Sequence, residues 1–326
     1  MKTKDIILKK LEENRNIYIS GEDLATELNL SRTAIWKGVN SLKEEGYIIN
    51  SSTNKGYKLD EKNDKISTFG IAHNLIEPLK DIDIMYYDSI DSTNTEAKRL
   101  LYSKNLKNFT ALVSDEQTEG RGRRGKDFSS PKGTGIYLSV VIFPEEDFNL
   151  SSFDLITVRA AVAIVNAIKN KTNKNPKIKW VNDIFLDGKK ICGILSEADS
   201  DFESRQIKSI IIGMGLNFTT DVSSLSKNLK DIAGSLKPEN LLRNEMIGEI
   251  LNQLYNAFYK MSDFEILESY KEHSLLLGRE VIFKIKDVNY EALAKDINEA
   301  GNLIVELKNG DTMTLSSGEV SVKGKM

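Results

Sequence analysis

Between residues 120 and 126 the chain reads Gly120-Arg121-Gly122-Arg123-Arg124-Gly125-Lys126, four cations spaced by three glycines. Glycine lets another group approach the backbone closely, and arginine presents a planar fork suited to carboxylate and phosphate. The segment therefore reads as a loop that holds an anion. A charge run is more often a solvated face, but a solvated face does not explain the glycines. Arg-Gly segments that bind single-stranded nucleic acid are usually longer. The residues also spell the G-x-x-x-x-G-K pattern of a phosphate-binding P-loop, which needs Ser or Thr next and then a helix. Here Asp127 follows, and Pro131, Gly133 and Gly135 oppose an early helix.

A second set of chemically able residues lies in Lys177–Glu197. Asp187-Gly188 is a strong two-residue hairpin signal. It predicts that Leu186 pairs with Lys189, Phe185 with Lys190, Ile184 with Ile191 and Asp183 with Cys192. Facing partners share a side of the sheet and sides alternate, so Lys190 and Asp183 are expected on one side, a diagonal step apart. Lys189 goes to the other side with Leu186. Two further segments are polar where a core would be apolar. Asp91-Ser92-Thr93-Asn94 follows the expected strand Ile84–Tyr87 and precedes a helix bearing Ala97 and Leu100, so a helix cap also explains it. Gly213-Met-Gly-Leu-Asn217 follows the apolar run Ile210–Ile212 and reads as a bulge or tight bend.

These pieces need a scaffold. The 326 residues, 40% hydrophobic and 29% charged, allow two or three globular domains with proper cores. A net charge of −3 excludes a global basic field, so any nucleic-acid contact must come from a local patch. One cysteine, Cys192, excludes an internal disulfide and suits a reducing cytoplasm. That cysteine with two distant histidines, His73 and His273, argues against a His/Cys zinc site. The opening MKTKDIILKKLEEN has no apolar signal-peptide core, and no apolar run is long enough to span a bilayer.

Residues 1–62 read as short helices followed by a polar hairpin, and Asp60–Lys65 as a linker. Residues 66–272 alternate strands and helices, and 273–326 read as short strands with turns, all-β beyond Gly278. In the first region Ile6, Ile7, Leu8 and Leu11 share a helix. Ser20–Asp23 has the form of a capping box before Leu24 and Leu28, and Ser31 caps a third helix with Ile35, Val39 and Leu42 inward and Gly46 past its end. Strands are expected over Tyr47–Asn50 and Gly56–Leu59. This order is the winged form of helix-turn-helix. Its helix-turn-helix spans Gly21–Asn40, with Ser31, Arg32, Thr33, Lys37 and Asn40 outward and Lys55 on the wing, placed to reach bases and phosphates. A helical domain for protein contacts is the alternative. Trp36 is expected to pack at the domain edge.

Taken in order, DSTN at 91–94, Q-x-x-GRGRRG at 117–125, GIYLS at 135–139, KWVND at 179–183, KKICGIL at 189–195, GMGLN at 213–217 and GEVSVK at 318–323 resemble the bifunctional biotin–protein ligases that also repress the biotin operon. With the winged helix the resemblance covers the whole length. It implies an α+β multidomain fold: a winged helix-turn-helix, a central mixed α/β ligase domain of class II synthetase type, and a C-terminal SH3-like barrel. It also implies ATP-dependent activation of biotin to biotinyl-5′-AMP and transfer to a lysine of a biotin carboxyl carrier protein. The biotinyl-AMP-bound homodimer would then repress at operator DNA.

Carried onto this chain, the resemblance implies that Ser92, Thr93, Asn94 and Gln117 hold the ureido ring of biotin. Gly120, Arg121, Gly122, Arg123 and Gly193 enclose biotin, and Lys190 stands near its carboxylate and the α-phosphate. Arg121, Arg124, Phe128, Tyr137, Asn182, Asp183, Asn217 and Lys323 serve ATP or the adenylate, with Mg²⁺ near Asp183. Lys190, Arg123 and Asp183 are the implied catalytic set. Departures from the family pattern are Phe128-Ser129 in place of Trp-Phe, Lys323 in place of arginine and Val181 where proline is common. Two other readings stay open: a DNA-binding biotin sensor with an inactive ligase domain, and a ligase for another acid such as lipoate.

Overall fold

The computed structural model describes residues 2–103, 105–144, 153–200, 207–286 and 288–324. Two compact units form: Met1–Lys80 with Asn240–Glu249, and Asp81–Glu239 with Ile250–Met326.

In the first unit α1 (Thr3–Glu13), α2 (Gly21–Glu27) and α3 (Arg32–Glu44) precede a hairpin of β1 (Ile49–Ser52) and β2 (Gly56–Leu59). Ile7, Leu11, Leu24, Ile35, Val39, Leu42 and Leu59 make its core. Ser20 Oγ accepts from the Asp23 N–H and Ser31 Oγ from the Ala34 N–H, satisfying amides that helix starts leave open. Gly46, at φ +93°, ends α3. The first wing strand begins two residues later than expected. The Tyr47 N–H goes back to Leu42 O and the Ile48 N–H to Asn63 Oδ1, so neither joins the hairpin ladder. Arg32, Thr33 and Lys37 are exposed on α3 and Asn40 is half-buried. Trp36 shares that outward face and is 56% exposed rather than packed at the domain edge.

The expected linker is structured. Asn63 is buried, and Asp64 receives Arg243 through its Nε at 2.9 Å and its backbone N–H at 2.6 Å. A short helix, α4 (Thr68–His73), follows. Its cap Ser67 donates to the buried carboxylate of Glu12 at 2.9 Å and takes Asn244 Oδ1 on its N–H.

The second unit is built on a seven-stranded mixed sheet. Its elements in chain order are β3 (Ile84–Tyr87), α5 (Thr93–Ser103), β4 (Thr110–Ser114), β5 (Gly135–Ile142), α6 (Phe153–Lys171), β6 (Lys177–Lys179), β7 (Asp183–Leu186), β8 (Lys189–Ser200), β9 (Ile207–Asn217), α7 (Lys227–Lys230), α8 (Arg243–Tyr259, whose start belongs to the first unit) and α9 (Asp263–Glu272). The strand order is β3-β4-β5-β9-β8-β7-β6, with β3 and β4 parallel and the other pairs antiparallel. β5 is buried along its length and β9 except at Lys208, which is why both read as near-continuous apolar runs. α5 lays Ala97 and Leu100 on Leu112, Val141 and Ile211.

A five-stranded antiparallel sheet follows: β10 (Glu280–Ile285), β11 (Val288–Ile297), β12 (Leu303–Leu307), β13 (Thr312–Leu315) and β14 (Val320–Val322), in the order β13-β12-β11-β10-β14. The Trp180 indole donates to Gly301 O at 2.9 Å, tying this small sheet to the start of the KWVND segment. No helix among the described residues is long and apolar enough to cross a membrane.

Candidate functional site

Strand register places the chemistry. Ser114, Tyr137, Gly215, Gly193 and Asp183 lie side by side on five adjacent strands. Two residues further into the sheet, Leu112, Ser139, Gly213 and Leu195 form a parallel row on the same face. Three glycines in these rows leave a gap beyond the N-terminus of α5. The gap is a cavity of about 50 Å³. Ser92, Thr93 and Asn94 line it from the turn into α5, and Gln117, Arg121, Gly122 and Arg123 from the glycine-arginine loop. Asn182, Lys190 and Gly193 line it from the hairpin.

One end of the cavity is neutral and strongly hydrogen-bonded. Gln117 Oε1 accepts from Thr93 N at 2.9 Å and lies 3.1 Å from Thr93 Oγ1, while its Nε2 donates to Ser130 Oγ. Asn94, almost fully buried, meets Ser139 Oγ through Oδ1 at 2.6 Å and Glu197 Oε2 through Nδ2 at 2.9 Å. Burial opposes ionisation of Glu197. The hydrogen bonds from Lys98 and Asn94, with Lys98 and Arg121 as nearby cations, still hold it below the ordinary carboxylate range.

The other end is cationic. Arg123 Nη1 donates to Asn182 Oδ1 at 3.2 Å, which couples the loop to the hairpin. Lys190 Nζ lies 2.7 Å from Asp183 Oδ1, as the diagonal argument requires, but the register differs from expectation. Asp183 pairs with Gly193 and Ile184 with Cys192, because β8 carries a bulge at Ile191. Ile184–Ile191 and Asp183–Cys192 are therefore not partners. A bulge adds one residue to one strand and leaves no mark on alternation read from a single strand. Lys189 turns away and donates to Asp231 O.

The loop itself is a short 3₁₀ turn, Arg123–Gly125, with Arg124 at φ +57°, and Arg121 bridges to Asp127. No helix follows, so the P-loop alternative is excluded. Lys126 pairs with Glu319, in the loop just before β14, and that hydrogen bond is the main cause of the lowered pKa of Glu319. Phe128 packs against the paired glycines. A Cβ at Gly215 would sit 2.4 Å from its ring, and one at Gly193 3.5 Å away.

Six expected site residues do not line the cavity. Gly120 is buried beneath the loop, where a Cβ would meet Phe128 O at 2.3 Å. Arg124 is exposed. Tyr137 is fully buried and donates to Pro131 O, and Asn217 Nδ2 donates to Gly234 O, so both brace the walls. Asp183 reaches the site through Lys190. Lys323 is engaged by Glu291 at 2.8 Å and Glu280 at 3.8 Å.

Residues that the sequence reading quoted but did not assign to the site also appear. Gly213, Met214, Gly215, Ile194 and Leu195 line the cavity. The GMGLN segment is not a bend: β9 runs straight through it, paired on both sides. Its glycines are there because Asn94 and Phe128 take the space a Cβ would fill. The only available signal was glycine spaced at the strand period. Lys179, in the KWVND segment, does not line the cavity. Burial pushes its ammonium below the usual lysine range, and the nearby cations Lys190 and Lys126 add to that against Asp183 and Glu319.

Comparison with known proteins agrees with this architecture. Residues 86–217 match the Biotin/lipoate A/B protein ligase family, 4–58 an HTH domain and 276–323 the Biotin protein ligase C terminal domain. The chain is 32% identical over 313 residues to the bifunctional ligase/repressor BirA of Bacillus subtilis, covering 94% of each. It is 26% identical to the protein of that name from Escherichia coli, covering 94% of this chain and 93% of that one. Among solved structures, the biotin protein ligase from Aquifex aeolicus in complex with biotin and ATP superposes with a TM-score of 0.62 at 26% identity, covering 74% of this chain and 98% of that one. The chain therefore belongs to the biotin protein ligases of the bifunctional ligase/repressor type.

Proposed function

We propose that the cavity binds biotin with its ureido ring at the Ser92–Asn94 and Gln117 end and its carboxylate at the Arg121, Arg123 and Lys190 end. The observation that carries this reading is the polarity of one cavity: neutral hydrogen-bonding groups at one end, cations at the other. The chain is a ligase that activates biotin with ATP and transfers it to a carrier protein, and its helix-turn-helix binds DNA.

Biotin's carboxylate attacks the α-phosphorus of ATP, giving biotinyl-5′-AMP and pyrophosphate. A carboxylate is already a nucleophile, so the task is to bring anions together in line, which Arg123, Arg121 and Lys190 serve by charge. A lysine amine of the carrier then attacks the mixed anhydride and expels AMP. Asn182 and Asp183 would help hold the nucleotide, Asn182 from the cavity wall and Asp183 through its contact with Lys190. Among the described residues no cluster of three or more His, Cys, Asp or Glu could hold a metal ion, and Asp183 is the carboxylate beside Lys190 that could help hold Mg²⁺. That suits an ion brought in on ATP phosphates, where it would neutralise developing charge. The glycine-arginine loop and Phe128 line the cavity, and we infer that they move outward to admit substrate and then close off water.

The division into 1–62, 66–272 and 273–326 is proposed as DNA-binding, catalytic and accessory parts of a cytoplasmic protein. Biotinyl-AMP would order the loop and favour a homodimer that presents two winged helices to a palindromic operator. The test is ATP–pyrophosphate exchange with biotin, against lipoate and octanoate, for the wild type and Lys190→Ala. Exchange with biotin alone, reduced at least about a hundredfold in the variant, is expected. Exchange driven by another acid, or none from folded protein, would refute the biotin reading.

A further inference from the structure

The Asn94 amide has one permitted orientation. Its Nδ2 donates to Glu197 Oε2 at 2.9 Å and to Leu195 O at 3.3 Å, and its Oδ1 accepts from Ser139 Oγ at 2.6 Å. Rotating the amide by half a turn would set Oδ1 against a carboxylate and a carbonyl, acceptors with no proton between them. Both amide protons are thus spent on the protein, and toward a ligand Asn94 has only the second lone pair of Oδ1. The amide packs against Gly213, where a Cβ would lie 2.0 Å from Oδ1, and Asn94 lines the cavity. Glu197 is anchored in turn by Lys98, one turn along α5 from Asn94, whose Nζ is 2.7 Å from Oε1. Glu197 stands 103 residues from Asn94 in the chain and does not line the cavity.

We propose that Glu197 is a positioning residue for substrate recognition. By holding the Asn94 amide protons it makes Asn94 Oδ1 an obligate hydrogen-bond acceptor, so this end of the cavity selects a ligand that offers an N–H there, as a cyclic urea does. The inference rests on the biotin reading above. Because Asn94 touches the neutral end of the substrate and not the reacting atoms, Glu197 acts on biotin affinity and leaves the chemical step alone.

Steady-state biotin-dependent exchange tests this with Glu197→Ala, Asn94→Asp and the double variant Asn94→Asp/Glu197→Gln, each shown to be folded by thermal melting. In the double variant glutamine Nε2 faces the new carboxylate and the second carboxylate oxygen still accepts from the ligand, while the longer contact to Leu195 O, 3.3 Å in the wild type, is lost, so recovery is partial. Glu197→Ala is expected to raise the KM for biotin about tenfold or more, with kcat and the KM for ATP within about twofold. Asn94→Asp alone, which sets two carboxylates face to face, is expected to raise it about a hundredfold, and the double variant to recover at least about tenfold of that. A double variant no better than Asn94→Asp overturns the proposal, as does a Glu197→Ala variant whose biotin KM is unchanged or whose kcat falls and ATP KM rises in step with it. A wild-type protein without biotin-dependent exchange would remove the functional reading, and this inference with it.

Discussion

Gly213 and Gly215 stand two residues apart on β9, each beneath a side chain that the site uses. An added Cβ meets Asn94 at 2.0 Å in one case and the Phe128 ring at 2.4 Å in the other. Their neighbours differ in freedom. Asn94 is buried and hydrogen-bonded to β5 and β8, whereas Phe128 is half-buried on a loop. Gly213→Ala should therefore cost about 1–3 kcal/mol of stability as well as biotin affinity, since a packed wall must shift. Gly215→Ala should leave the urea unfolding midpoint nearly unchanged while altering turnover. Paired melts and exchange kinetics check the difference. At the cationic end, Arg123→Ala is expected to speed dissociation of biotinyl-AMP without changing operator affinity per dimer. Unchanged intermediate dissociation would contradict its assigned role. The glycine-arginine loop, Ser92–Asn94, Gln117 and Lys190 were legible in the sequence because their types and local spacing carry the chemistry. Glu197, Ser139 and the two β9 glycines were not, because their roles exist only once β5, β8 and β9 are side by side.

The hairpin of β7 and β8 shows the same limit for an element. Asp187-Gly188 names the turn, and alternation carries the pairing for two residues. The bulge at Ile191 then shifts it, so that Asp183 faces Gly193. The Lys190–Asp183 contact survives the shift because both residues still emerge on the same side. Two residues past Lys190 on β8 lies Cys192, fully buried, its thiol pushed up to about 12 by burial. A depressed thiol would mark it as reactive, and this one is raised. Iodoacetamide at pH 8 should therefore label the native protein far more slowly than the urea-unfolded chain, which returns to an ordinary thiol pKa. Rapid native labelling would show that β8 opens at the site. The winged helix was legible for a different reason: its caps, Ser20 and Ser31, act within three residues of themselves.

On the scale of the molecule, textural boundaries and compact units do not coincide. The stretch at 60–65 looks like a linker because it is short, polar and charged, yet Asp64 takes the nearly buried Arg243 on both its carboxylate and its backbone carbonyl. The partner lies 179 residues away, so no local pattern announces it. Arg243→Ala leaves that carboxylate, 31% exposed, without its cation and should destabilise the first unit by about 1–2 kcal/mol. Circular dichroism melts would read this, and a loss below about 0.5 kcal/mol would mean the pair contributes as little as one on an open surface.

The return of residues 240–249 to the first unit has a consequence for synthesis. Chains emerge from the ribosome amino end first, and domains ordinarily finish folding in that order. Here the helix-turn-helix unit lacks Arg243 and Asn244 until every strand of the seven-stranded sheet has already been made. A nascent chain arrested before residue 240 should carry a DNA-binding unit that is incomplete and readily cleaved by protease. Its resistance should rise once the segment through residue 249 has cleared the exit tunnel.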